Sequence, residues 1–121
     1  MSVKERAFSR PVKILVMIMR TTFLLAFILG AGLGLKGLPQ DQSLIMLHIA
    51  IGIVFVVSVW IIAFILRTAG LWIAGILTLL GAGIGFSLPI PPAASGWFHA
   101  GLMVIAMGLA EMSEARAKKS H

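Results

Sequence analysis

The chain has 121 residues, 60% of them hydrophobic and 12% charged, with a mean hydropathy of +1.06. Water-soluble domains carry roughly a quarter charged residues, so this composition excludes a soluble globule, and the absence of cysteine excludes disulfides, iron–sulfur clusters, thiolate zinc sites and thiol catalysis. The net charge of +6 does not point to nucleic acid: Lys4, Arg6, Arg10, Lys13, Arg67, Arg116, Lys118 and Lys119 lie at the termini and in one loop, the places that flank membrane spans and face anionic lipid.

Four apolar segments follow in order, from about Val12 to Leu35, Leu44 to Leu66, Ala69 to Leu88 and Gly96 to Ala110. A helix needs about 20 apolar residues to cross a bilayer. The first three qualify outright. The fourth is short, approached through Pro91-Pro92 and ended near Glu111. The first segment exceeds the usual h-region of about 7–15 residues and lacks a small-x-small site, so no cleavable signal peptide is expected. Runs this long lack the alternation of a membrane barrel.

The connections Lys36–Ser43, Arg67–Thr68 and Pro89–Ser95 are short, which makes neighbouring helices antiparallel. The expected fold is an all-α membrane protein, a four-transmembrane-helix up-down bundle in a single membrane domain over 1–121. Its flanking cations put both termini and the Arg67 loop in the cytoplasm, with the chain multi-pass in the cell inner (plasma) membrane. Trp60, Trp72 and Trp97 fall near helix ends, where aromatic anchors belong. Arg20 and Glu111, both toward the inner side, are expected to form a structural ion pair, or Arg20 simply to snorkel, with a proton path through Glu111 as the sharper alternative. His121 is terminal and solvated.

The chain repeats itself. Leu29-Gly30-Ala31-Gly32-Leu33-Gly34-Leu35 returns as Leu80-Gly81-Ala82-Gly83-Ile84-Gly85-Phe86, an offset of 51 residues, and the same offset carries His48 onto His99. Two tandem helical hairpins, about 12–66 and 69–112, are thereby predicted, parallel and related by a pseudo-twofold axis along the membrane normal.

The repeat sets two histidines at one depth. His48 lies near the start of the second helix and His99 near the start of the fourth, both entering from the outer side. Gly30, Gly34, Gly81 and Gly85 end the first and third helices at that side, and Gly52 and Gly96 add room beside the histidines. Two opposed imidazoles across walls stripped of side chains suit bis-histidine ligation of haem, as cofactor sites in four-helix bundles are built from facing helices. His48 and His99 are the expected metal ligands, with Gly30, Gly34, Gly52, Gly81, Gly85 and Gly96 around the cofactor. Zinc, which usually takes three or four protein ligands, fits less well.

The motifs Leu47-His48-Ile49 and Phe98-His99-Ala100-Gly101-Leu102, on the second and fourth helices, resemble one half of the haem A synthase family. That family carries haem between histidines on the second and fourth helix of each half, near the outer face. Its catalytic half typically has a glutamate three residues before the first histidine and an arginine just after it. Ile45 and Ile49 stand there in this chain, and the paired loop cysteines are absent. The resemblance therefore implies a haem-holding fold rather than oxidation of a haem methyl group.

The function expected is a membrane-embedded b-type cytochrome without catalytic residues. It would hold one haem near the outer face for electron transfer, beside other membrane redox subunits or a homodimer partner in the lipid bilayer. The alternatives are a half-size haem A synthase-like enzyme and a cofactor-free structural or transport subunit whose histidines only join helices.

Overall fold

A computed structural model describes residues 1–87 and 94–120. Most of the expected Pro89–Ser95 connection, with Pro91-Pro92, and the terminal His121 lie outside the described residues. Those described form five helices: α1 (Val3–Phe8), α2 (Arg10–Gly34), α3 (Gln42–Leu66), α4 (Ala69–Ser87) and α5 (Ala94–Lys119). No strand occurs among them.

The first helix was not anticipated. A reciprocal cap starts it: the Ser2 hydroxyl accepts the Glu5 backbone N–H at 3.1 Å, and the Glu5 carboxylate accepts the Ser2 N–H at 2.5 Å. The chain turns extended at Ser9, and Pro11 then occupies the first turn of α2, where its missing N–H costs nothing. α1 packs against α5, α2 and α3 at the end of the bundle that holds the chain termini, and buries Ala7 completely.

Three helices, α2, α3 and α4, are long and apolar enough to cross a membrane. Their outward side chains, among them Leu24, Ile28, Ile53, Phe64 and Ile76, are large, apolar and exposed, a surface that suits lipid and not water. Hydroxyls inside the helices turn back onto their own backbone: Ser58 donates to the Val54 carbonyl at 2.7 Å and Thr78 to the Gly75 carbonyl at 2.6 Å.

α5 is longer than its apolar run. It continues nine residues past Ala110 because Met112–Lys119 is rich in good helix formers. Glu114 pairs with Lys118 one turn on, and Arg116, Lys118 and Lys119 meet the negative end of the helix dipole. The expectation of a short fourth helix thus gives way to a 26-residue one. Hydropathy stopped at Glu111; helical structure did not.

The helices pair as hairpins. Contacts are densest between α2 and α3 and between α4 and α5, intermediate between α3 and α4, and sparse between α2 and α5. One core fills the half of the bundle near the termini, with Val12, Met19, Phe55, Ile62, Leu66 and Leu71 almost wholly buried. Where α2 and α5 meet so thinly, Arg20 donates through Nε and Nη2 to the two Glu111 carboxylate oxygens, at 2.6 and 2.8 Å. The expected ion pair is present, as a bidentate strut. At the opposite end of the bundle the core gives way to a cavity.

Candidate histidine-lined cavity

Each hairpin builds the same small device. In the first, the His48 ring on α3 lies over Gly30 of α2, so that a β-carbon at Gly30 would stand 2.9 Å from His48 Cε1. The ring bonds the Ala26 carbonyl through Nδ1 at 2.9 Å. In the second, His99 on α5 lies over Gly85 of α4, again 2.9 Å from a β-carbon at that position, and bonds the Gly81 carbonyl through Nδ1 at 2.6 Å. In both, the carbonyl sits four residues before the glycine, one turn down the same helix face.

These bonds decide the tautomer. A backbone carbonyl only accepts, so Nδ1 must carry the proton in each ring, which leaves Nε2 as the lone-pair nitrogen. Neither Nε2 has a hydrogen-bond partner among the described residues. A histidine whose Nδ1–H is tied to a carbonyl and whose Nε2 is free is the usual form of an imidazole metal ligand.

The two ring centres lie 6.3 Å apart with their planes at 75°. Both rings line a cavity of about 570 Å³, within the range of small-molecule and cofactor sites. Gly30, Gly34, Gly52, Gly85 and Gly96 form parts of its wall. A β-carbon at Gly52 would meet nothing within 4 Å, so that glycine faces open space. Aromatic side chains complete the wall: Phe23, Phe27, Phe55, Phe86 and Trp97. Phe23 packs on Phe55 at 5.4 Å between centroids, where the cavity meets the core. Among the described residues, no charged one lines the cavity. The amide of Gln40 reaches it and donates to the Leu33 carbonyl at 2.7 Å.

Gly81 differs from its expected placing. It is off the cavity wall and buried, with Met103 over it; a β-carbon there would meet the Met103 sulfur at 3.2 Å. Its contribution is its carbonyl. The sequence repeat aligns Gly30 with Gly81, but in space Gly30 corresponds to Gly85. His99 therefore docks one helical turn farther along its partner helix than His48 does. The carbonyls of Ala26 and Gly81, and the Phe23–Phe55 floor, carried no signal in the sequence beyond helical spacing.

Of the tryptophans, Trp97 is 68% exposed at the start of α5. Trp60 and Trp72 cluster with Phe64, and the Trp60 ring covers Gly75. No group of three or more His, Cys, Asp or Glu side chains gathers among the described residues, so a metal held here would have two imidazoles as its protein ligands. No family model, curated protein or solved structure matches the chain.

Proposed function

We propose that the chain is a membrane-embedded b-type cytochrome that holds one haem between His48 and His99 and serves electron transfer within a membrane redox assembly. The observation that carries this reading is the pair of imidazoles, each fixed by an Nδ1–H bond to a neighbouring helix and each left with an unshared Nε2 at one neutral, aromatic-walled cavity. The ring-centre separation of 6.3 Å supports it further. Two metal–imidazole bonds of about 2 Å, with about 1.1 Å more from each nitrogen to its ring centre, span about 6 Å.

The residues have separable tasks. His48 and His99 hold the metal, and the carbonyls of Ala26 and Gly81 keep both rings in the binding tautomer. Gly30 and Gly85 let each ring lie flat on the neighbouring helix. The aromatic wall excludes water and lowers the local dielectric, both of which tune a redox centre. Haem bound in this way supplies a one-electron centre without an open coordination position, which suits electron transfer over oxygen chemistry. Ile45 and Ile49 also face the cavity, so the positions where that family carries its glutamate and arginine offer neither an acid nor a cation here. This separates the reading from an enzyme like haem A synthase while keeping the likeness to one half of that family.

The same reading makes α5 a fourth span. It runs antiparallel along α4, an apolar helix of spanning length, and it matches α2 and α3 in length. The cations at both termini and at Arg67 then set the termini in the cytoplasm and the cavity in the outer leaflet of the plasma membrane. A haem there cannot alone move electrons across a core of about 30 Å, so a further redox partner at the outer face completes the path.

An absorption spectrum of the purified protein with pyridine haemochrome analysis tests this. A split α-band on reduction, lost in both His48→Ala and His99→Ala, is expected; colourless protein, or an unchanged spectrum in the double variant, rejects it. A second reading is favoured by the Nδ1 bonds themselves, since a histidine that joins α3 to α2 or α5 to α4 has a structural use without any cofactor. That reading predicts colourless protein of unchanged fold.

A further inference from the structure

Charged groups at hydrocarbon depth are costly unless protein surrounds them, because lipid tails offer neither hydrogen bonds nor screening. With α2 and α5 both spanning, as in the proposed arrangement, Arg20 and Glu111 fall at such a depth. Arg20 is seven residues beyond Lys13 on α2, about 10 Å at the helical rise per residue. Glu111 precedes the cations of the last turn of α5 by five residues or more. The pair is nevertheless open to the outside, with 53% of the Arg20 side chain and 32% of the Glu111 side chain exposed. Two of the five guanidinium donors are used on Glu111, and the rest of the group is at the bundle surface.

The face of α5 beside Glu111 is also unoccupied. Gly101, Val104, Gly108, Glu111 and Ala115 alternate in steps of three and four, which places them along one side of the helix as the a and d positions of a heptad. Gly101, Val104, Gly108 and Ala115 are exposed. A β-carbon at Gly101 or Gly108 would meet nothing within 4 Å, whereas Gly70 and Gly75 are each covered by a side chain of the adjoining helix. Small residues left bare by their own fold admit another helix at close range.

The charges select the occupant. On a twofold seam the two Glu111 carboxylates approach each other, and the two Arg20 guanidiniums, each paired with its own Glu111 and with donors to spare, flank and neutralise them. A partner or lipid carrying one sign of charge would answer only half of the Arg20–Glu111 pair. Two copies inserted in the same sense also bring their α5 helices together in parallel, the orientation in which a 3–4 seam interlocks with itself.

We propose that the α2/α5 face is the interface of a homodimer, in which two α5 helices pack along the Gly101–Val104–Gly108–Ala115 seam and the Arg20–Glu111 pairs of both copies join into one neutral cluster shielded from lipid. The proposal rests on α2 and α5 spanning the membrane and not on what fills the cavity.

The chain lacks cysteine, so single-cysteine variants report contacts without background. Val104→Cys and Gly108→Cys should form covalent dimers on oxidation in native membranes, while Ile73→Cys, on the exposed side of α4, should remain monomeric. The unaltered chain in lipid nanodiscs should give the mass of two copies, and Gly108→Leu should raise the dissociation constant about tenfold or more. A one-copy mass for the unaltered chain, or equal cross-linking at Ile73→Cys and Val104→Cys, overturns the interface. The visible spectrum is read separately: a colourless dimer sustains the interface and rejects the haem, and a coloured monomer does the reverse.

Discussion

The imidazole of His48 rests directly on Gly30, so close that a β-carbon on that glycine would stand 2.9 Å from Cε1. Gly85 stands in the same relation to His99. Gly52 lines the same cavity with nothing within 4 Å of a β-carbon. The three glycines therefore separate by task. Gly30→Ala and Gly85→Ala should displace a ring, break its bond to the carbonyl and lower stability by about 1–3 kcal/mol, as overpacking does. Gly52→Ala should be neutral or slightly stabilising, since alanine favours a helix over glycine. Thermal unfolding in detergent measures the difference, and equal destabilisation of all three would contradict the placement.

Filling the cavity should abolish cofactor binding without disturbing the fold. Gly52→Phe projects a ring into space that no side chain holds. On the proposed reading, that variant unfolds near the temperature of the colourless form but retains no haem after purification, while Gly83→Phe, at an exposed position off the wall, retains it. Haem content per chain decides the matter, and full content in Gly52→Phe argues against the site.

The Arg20–Glu111 strut is the main polar link across the sparse α2/α5 contact. Removing one partner leaves a lone charge between two largely apolar helices, whereas removing both leaves none. Arg20→Met and Glu111→Met should each destabilise the protein more than the double variant does. A double-variant cycle of unfolding temperatures tests this; additive losses would show that the two charges act independently.

The α1 cap gives one pH-dependent element at the water-facing end. Hydrogen bonds from the Ser2 backbone N–H, first, and its hydroxyl hold the Glu5 carboxyl below its usual range. A carboxyl with a depressed value in the folded state adds stability above its unfolded value and loses it as pH falls through the lower one. α1 should therefore fray in acid, below the usual glutamate range, and Glu5→Gln should remove that dependence. Amide exchange of Arg6 and Ala7 reports it, and an exchange profile that acid leaves flat rejects the role of the cap.

Hydropathy alone located α2, α3 and α4 within a few residues, because an apolar run long enough to cross a bilayer is a local property of the chain. The same property misjudged α5: charged residues after Ala110 end an apolar run but not a helix, and Glu114 with Lys118 continues it. The strut was legible because two opposite charges in apolar helices have few other partners. The cap at Ser2 and Glu5 was in the sequence too, three residues apart as such caps require, but lay in a basic segment read only for its charge.

The sequence by itself determined that two glycine-ended hairpins would each carry a histidine 51 residues apart. Only the tertiary structure decided which glycine each histidine meets. Gly81 and Gly85 lie one turn apart on the same helix face, as do Gly30 and Gly34, so helical periodicity treats the members of each pair as equivalent. The choice belongs to the sliding of one helix along another. That sliding is set by side chains distant in the chain, such as Met103 over Gly81, and it brings His99 to Gly85 and the two ring centres to 6.3 Å.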